Sequence, residues 1–152
     1  MAAAAWKLYT KAKQYLGNGT IKLGVGLGDN FKMALFEGSS NASTLTLSTL
    51  ASVTVQASGG AYVAGGKALV PATGTWTISG STITFDYTSL GITFTASSSN
   101  INAVQYAVIY KDGASASAKL LCWSKLSSSA FDVADPNTLT VLPAATGVFT
   151  LT

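Results

Sequence analysis

The chain holds one cysteine, Cys122, and no histidine. A thiol becomes a nucleophile when a base or a nearby positive charge lowers its pKa. Without an imidazole, neither a Cys–His pair nor a Ser–His–acid triad can form. Cys122 lies inside the apolar run Leu120-Leu121-Cys122-Trp123, the setting of a buried thiol that behaves as a small hydrophobe. One cysteine also excludes an intrachain disulfide. Among the acids, Asp132 and Asp135 are close in sequence, but Asp135-Pro136-Asn137 and Asp29-Asn30 read as turns. No acid spacing supplies the roughly six to eight oxygens a calcium ion takes. Gly24-Val25-Gly26-Leu27-Gly28 resembles a dinucleotide loop only superficially, because a strand, Phe31 to Phe36, follows where a helix is required. Those glycines read as a turn or bulge. Gly65-Gly66-Lys67 runs into Ala68, so the hydroxyl that holds Mg²⁺ in a phosphate loop is missing, and the segment reads as a β-turn with a solvated lysine. The expectation is a protein with no catalytic residues, no cofactor and no metal.

With catalysis set aside, composition bounds what remains. At 152 residues the chain fits one domain that buries about 68–70% of its unfolded surface without staples. Hydrophobic residues make up 48% and charged residues only 10%, against a usual charged share of roughly 25%. Ser and Thr therefore cover much of the surface, which suits close protein–protein contact. The net charge of +3 comes from lysines alone. Lysines scattered along the chain without arginine make a weak case for nucleic acid, where arginine forks onto phosphate and guanine. Ala2 to Ala5 is too short for the apolar core of a signal peptide, and Lys7, Lys11 and Lys13 follow it rather than precede it. No run approaches the roughly 18 apolar residues of a membrane span. Synthesis and retention in a soluble compartment, with no membrane partner, is the corresponding expectation.

The elements follow from period. Ala2 to Leu16 predicts a helix, with Ala5, Tyr9, Ala12 and Leu16 on one stripe, Trp6 and Leu8 flanking it, and Lys7, Lys11 and Gln14 opposite. Gly17 is placed to cap it. This helix reads either as a cover for one end of a sheet or as an arm that lays Trp6 and Tyr9 on a neighbour. From Thr20 onward the period is two. Phe31, Met33 and Leu35 share a strand face. Trp76 and Ile78 alternate in Thr75 to Ser79, and Ile83, Phe85 and Tyr87 point inward in Thr82 to Tyr87, the two strands joined at Ser79-Gly80-Ser81. Ile92 to Ala96, Thr138 to Leu142 and Val148 to Leu151 are further short strands. Ala103 to Tyr110, apart from Gln105, and Leu120 to Trp123 are apolar on both faces, the mark of central strands covered on both sides. Ser48 to Val53 fits one helical turn or an edge strand equally. The expected core is Phe31, Met33, Leu35, Trp76, Ile83, Phe85, Tyr106, Val108, Cys122 and Trp123. Tyr62, Tyr87 and Tyr110, near strand ends, are expected at a wet surface or an interface. The fold class is all-β, a β-sandwich or jelly-roll-like barrel with an N-terminal amphipathic helix. Residues 1–19 form a helical arm and 20–152 one β-domain.

Several blocks occur in an order resembling small structural proteins of tailed-bacteriophage virions. They are Trp6-Lys7-x-Tyr9-x-Lys11-Ala12-Lys13, Phe31 to Phe36 leading into Ser39-Ser40-Asn41-Ala42, Tyr62-x-x-Gly65-Gly66-Lys67-x-Leu69, Tyr106 to Asp112, and Gly147-Val148-Phe149-Thr150-Leu151. The chain departs from that group in its long Thr73 to Ala96 β-run and its lack of arginine. The resemblance implies a capsid cement (decoration) protein that stabilises the lattice of the major capsid protein. A homo-oligomer located in the virion and synthesised in the bacterial host cytoplasm is expected. The partner-binding residues expected on this reading are Trp6, Lys7, Tyr9, Lys11 and Lys13. The alternative is a tail or connector component, or a head-fibre module that binds a receptor or glycan.

Overall fold

A strand that is apolar on both faces needs cover on both, and the two such strands occupy the centre of the molecule. The computed structural model describes residues 4–24, 28–69, 75–87, 91–143 and 147–151. Its elements are β1 (Lys7–Leu8), α1 (Thr10–Gly17), β2 (Phe31–Glu37), β3 (Lys67–Ala68), β4 (Thr75–Ser79), β5 (Thr82–Asp86), β6 (Ile92–Thr95), β7 (Ile101–Lys111), β8 (Leu120–Lys125), β9 (Phe131–Val133), β10 (Thr138–Val141) and β11 (Phe149–Leu151). With 42% strand and 8% helix the chain is all-β, a sandwich carrying an N-terminal helix.

The main sheet is antiparallel in the order β1-β8-β7-β2-β3, with β9 pairing the start of β7. The second layer comprises a three-stranded sheet, β11-β5-β4, and the pair β10-β6. The register Met33↔Ile109↔Cys122 and Leu35↔Ala107↔Ser124 sets one face of the main sheet. There Phe31, Met33, Leu35 and Cys122 are fully buried. The second layer packs on this face: Phe31 meets Phe85 edge-on at 6.0 Å, and Phe85 stacks on Phe149 at 5.3 Å. The opposite face carries Phe36, Val108, Tyr110 and Trp123. It is covered in part by the excursion after β2, whose 3-10 turn Leu50–Ser52 puts Leu50 and Val53 beside Phe36 and Tyr110. Thr49 also bridges Lys119, so this segment forms a helical turn and a short pairing together.

The hairpin and the two-sided central strands lie where their periods placed them. The N-terminus does not follow its pattern. The helix begins at Thr10, and Lys7–Leu8 is a strand paired with Trp123 and Cys122. Three backbone contacts tie this segment to its surroundings: Ala4 N–H to Lys125 O (3.3 Å), Tyr9 N–H to Leu121 O (3.1 Å) and Thr10 N–H to Leu45 O (2.9 Å). Tyr9 has no exposed surface and donates its hydroxyl to the Ala42 carbonyl at 2.6 Å, while Trp6 is 7% exposed. Of the expected arm of residues 1–19, the described residues 4–19 are joined to the sheet, and Trp6 and Tyr9 are buried in the core instead of lying on a surface. Gly17 is the last helical residue, Asn18 caps it, and the left-handed conformation falls on Gly19.

Other expected positions also shift. Ile83 is only half-buried, because its hairpin runs past the edge of the core and leaves its cross-strand partner Ile78 75% exposed. Tyr106 is half-buried and meets Trp123 edge-on at 6.0 Å. Tyr87 and Tyr110, expected at a wet surface, are buried, whereas Tyr62 is half-buried. The Trp76 side chain and residues 25–27 of the glycine run lie outside the described positions. Gly66 takes φ +70 where the chain crosses β2, and a Cβ there would collide with the Met33 carbonyl. The Gly65-Gly66-Lys67 segment is thus shaped by backbone packing.

Truncating Tyr9 to Ala is expected to destabilise the fold by roughly 3–5 kcal/mol, as for other buried aromatics. Tyr9→Phe, which leaves the Ala42 carbonyl unpaired, is expected to cost about 1–3 kcal/mol. Lys11→Ala should stay within about 0.5 kcal/mol of the parent. Urea unfolding midpoints measure all three, and a Tyr9→Ala protein as stable as the parent would show that the N-terminal segment lies outside the cooperative core.

Candidate docking surface

The Cys122 thiol and the Tyr9 and Tyr87 phenols are sealed in the core. Burial pushes the Cys122 thiol well above its ordinary range. It also raises the Tyr9 phenol and the Tyr87 phenol, with Cys122 adding to both. Among the described residues the buried Tyr87 hydroxyl has no hydrogen-bond partner. Burial again comes first for Tyr110, pushed up to about 12 with smaller contributions from Asp112 and Tyr62. Tyr62 is raised by burial against the opposing effect of its bonds to Leu35 and Gln56. Burial thus keeps each of these groups in its protonated form to higher pH.

The charged residues are distributed unevenly. Lys111 pairs with Asp29 at 2.9 Å and Lys32 with Asp112 at 2.9 Å. Asp132 accepts the Ala103 N–H at 2.8 Å, so its carboxylate anchors the backbone beside β9. Five other lysines, Lys7, Lys11, Lys13, Lys119 and Lys125, lie on β1, on α1, at the start of β8 and at its end. The segments Ala4–Leu23 and Gly113–Phe131 that carry them contain no acid at all. The β1–β8 pairing unites them: Lys7 faces Trp123, and α1 packs on β8.

Aromatic rings hold two of these lysines in place. The Lys7 ammonium lies 5.4 Å from the Trp123 ring centre and the Lys119 ammonium 5.6 Å from that of Tyr15. Each such contact is worth about 0.5–1 kcal/mol at an exposed site. Lys11 donates to the Gln14 side chain at 2.9 Å, Lys7, Lys11, Lys13 and Lys125 are exposed, and Lys119 is half-exposed. The result is a cationic margin along the β1 and α1 side of the main sheet, built from segments that contain no acid.

Of the residues expected to bind a partner, the structure brings Lys7, Lys11 and Lys13 to this margin and removes Trp6 and Tyr9 from it. Lys119 and Lys125 join it although neither was singled out in the sequence, because over a hundred residues separate them from Lys7. The signal that could have found them is the apolar run Leu120 to Trp123, once a strand is allowed to form before the helix. A cationic margin of this kind attracts acidic surfaces over about 8 Å at physiological salt and weakens as salt rises.

The sealed phenols and thiol have a measurable consequence. They keep their protons in the folded chain to higher pH than in the unfolded one, so the unfolded chain releases protons first and gains on the folded state. Stability is expected to be fully present below about pH 9, where an unfolded thiol begins to ionise, and to fall through pH 10 to about 12 as unfolded phenols ionise. Urea midpoints between pH 7 and pH 11 measure this; a midpoint that does not move would contradict the burial of these groups. Comparison of the chain with protein-family models, with curated proteins and with solved structures finds no match.

Proposed function

We propose that this chain is a structural subunit of a tailed-phage virion, a capsid cement protein that binds the assembled lattice of the major capsid protein through its lysine margin. The observation that carries the reading is that cationic margin, set on a scaffold with otherwise little charge. A protein that binds only the assembled lattice shifts the assembly equilibrium toward it by mass action. Lysines pinned on aromatic rings lose less freedom on docking than free ones, and a rigid two-layer body adds little ordering cost. The order of sequence blocks shared with small virion proteins supports the same reading. The protein works by binding, with no reaction catalysed.

One observation favours the alternative of a receptor- or glycan-binding module. A cavity of about 220 Å³ opens between Tyr62, Val63, Lys67, Phe94 and Ile101. Its recognition groups are largely committed, however. Phe94 is 2% exposed, the Tyr62 hydroxyl accepts from the Leu35 N–H and the Gln56 amide, and Lys67 donates to the Thr93 carbonyl. No acid among the described residues pairs with the lysines of the margin.

The test is occupancy on purified particles, counted by quantitative mass spectrometry and located by reconstruction. The double variant Lys11→Glu/Lys13→Glu is expected to lower occupancy at least tenfold, about 1.4 kcal/mol per binding event, while its unfolding midpoint stays near the parent's. Parent occupancy should also fall as salt rises. Unchanged occupancy in the double variant would overturn the lysine margin as the docking surface. A few copies at the tail instead of hundreds on the head would overturn the cement reading.

A further inference from the structure

The sheet margins of this chain are protected unequally. β1 and β3 are two residues long and each carries a lysine, which are two of the devices that keep edge strands from pairing with other chains. β4 is five residues long, Thr75-Trp76-Thr77-Ile78-Ser79, with no charge, no proline and no irregularity in its ladder with β5. It ends the β11-β5-β4 sheet, and among the described residues no backbone hydrogen bond reaches its outer side. Ile78 on this strand is the most exposed of the large apolar side chains, at 75%.

The hairpin turn decides which backbone groups face outward. Gly80 and Ser81 form a two-residue connection, with Gly80 at φ +60, and Ser79 stands opposite Thr82. In such a hairpin the residues flanking the turn exchange hydrogen bonds, and the pattern alternates along the ladder. Thr75, Thr77 and Ser79 therefore direct their backbone groups at β5, while Trp76 and Ile78 direct theirs away from it. A margin of alternating N–H and C=O groups is satisfied by another strand.

We propose that β4 pairs antiparallel with β4 of a second copy of this chain, about a two-fold axis at Thr77. In this register Thr77 faces Thr77, Trp76 faces Ile78, and Thr75 faces Ser79. The outward groups of Trp76 then meet those of Ile78 on either side of the axis. Hydroxyl positions meet hydroxyl positions and apolar positions meet apolar ones, and all five residues are used. A slip of one residue sets Ile78 against threonine. The strand carries no charge, so two copies approach without like-charge repulsion, and a symmetric partner is self-complementary by construction. Pairing joins the two three-stranded sheets and extends the cross-strand row Thr150, Thr84 and Thr77 across the axis. The inference is independent of where the protein works, and it concerns a surface separate from the lysine margin.

The contact is smaller than a standard interface, so the dimer should form in the upper micromolar range. Sedimentation of the purified full chain up to about 1 mM is expected to show the mass rising from one copy toward two. Ile78→Lys, which places a charge at an exposed edge position, is expected to raise the dissociation constant at least tenfold with an unchanged circular dichroism spectrum. Thr77→Cys is expected to give a disulfide-linked dimer on mild oxidation, because residues at a non-hydrogen-bonded antiparallel pair lie close enough to bridge. Ser79→Cys, which faces Thr75, is not. Buried Cys122 does not compete. A parent that stays monomeric to 1 mM would overturn the proposal. So would a dimer that survives Ile78→Lys, or a Ser79→Cys protein that cross-links as readily as Thr77→Cys. Particle occupancy does not enter this experiment, so its failure leaves the cement reading to be judged on its own test.

Discussion

The burial of β7 and β8 on both faces is the constraint that organises this molecule. A strand covered on both sides has no water to satisfy its polar groups, so each must find a partner inside the protein. Gln105, 7% exposed on β7, donates its amide to the carbonyls of Ser127 and Ser128. Ser124, fully buried on β8, donates to the Ala4 carbonyl at 2.7 Å. Without the N-terminal segment, β8 would be an edge strand with a buried serine hydroxyl and unpaired backbone groups. Closing that edge draws residues 4–9 into the sheet as a strand, and the helix starts only after Tyr9 is seated beneath Ala42. The same closure brings Lys7, Lys11 and Lys13 to the strand that Lys119 and Lys125 flank, so the surface arrangement follows from the core.

Much of the fold was legible because alternation along a strand is a local property. Phe31, Met33 and Leu35, and the apolar character of Val104 to Tyr110 apart from Gln105, report burial without knowledge of partners, and the Thr75 to Asp86 hairpin is legible from its alternation and turn. The misread elements are those whose conformation is decided elsewhere. Ala2 to Leu16 matches a helical stripe, yet local propensity yields when a distant strand offers backbone pairing and a buried site for Tyr9. β1 and β3 are two residues long and leave no periodic trace. Tyr87 and Tyr110 lie at strand ends but under neighbouring segments: Tyr110 donates its hydroxyl to the Gly65 carbonyl, a contact 45 residues away in sequence. The lysine margin is illegible for the same reason, since it depends on the register Lys7↔Trp123.

Sparse charge also changes what each ion does. Two of the six acids are spent on fastening loops: Asp29 holds Lys111 and accepts the Lys22 N–H, and Asp112 reaches back to Lys32. Both pairs are partly exposed and worth little individually, at most about 1 kcal/mol. Among the described residues the lysines of the β1 and α1 side are left without an acidic partner. In a chain with the usual share of acids, some would fall on that margin and cancel it. Low overall charge and local charge imbalance are thus compatible, and the second is the more informative about binding.

The two unsatisfied surfaces lie on opposite sides of the second layer. Ala5, Trp6, Leu8 and Lys13 share a cavity with Gly147 to Thr150, which sets the lysine margin beside β11. β4 is on the far side of β5, two strand spacings or about 10 Å away. A single copy can therefore hold a charged partner at one margin and a second copy at the other without overlap. When two weak contacts act on one rigid body, the second forms at an effective concentration set by geometry, and avidity exceeds either affinity alone. Rigidity matters here because a flexible arm would dilute that gain. By seating Trp6 and Tyr9 in the core, the fold makes its cationic margin part of the rigid body.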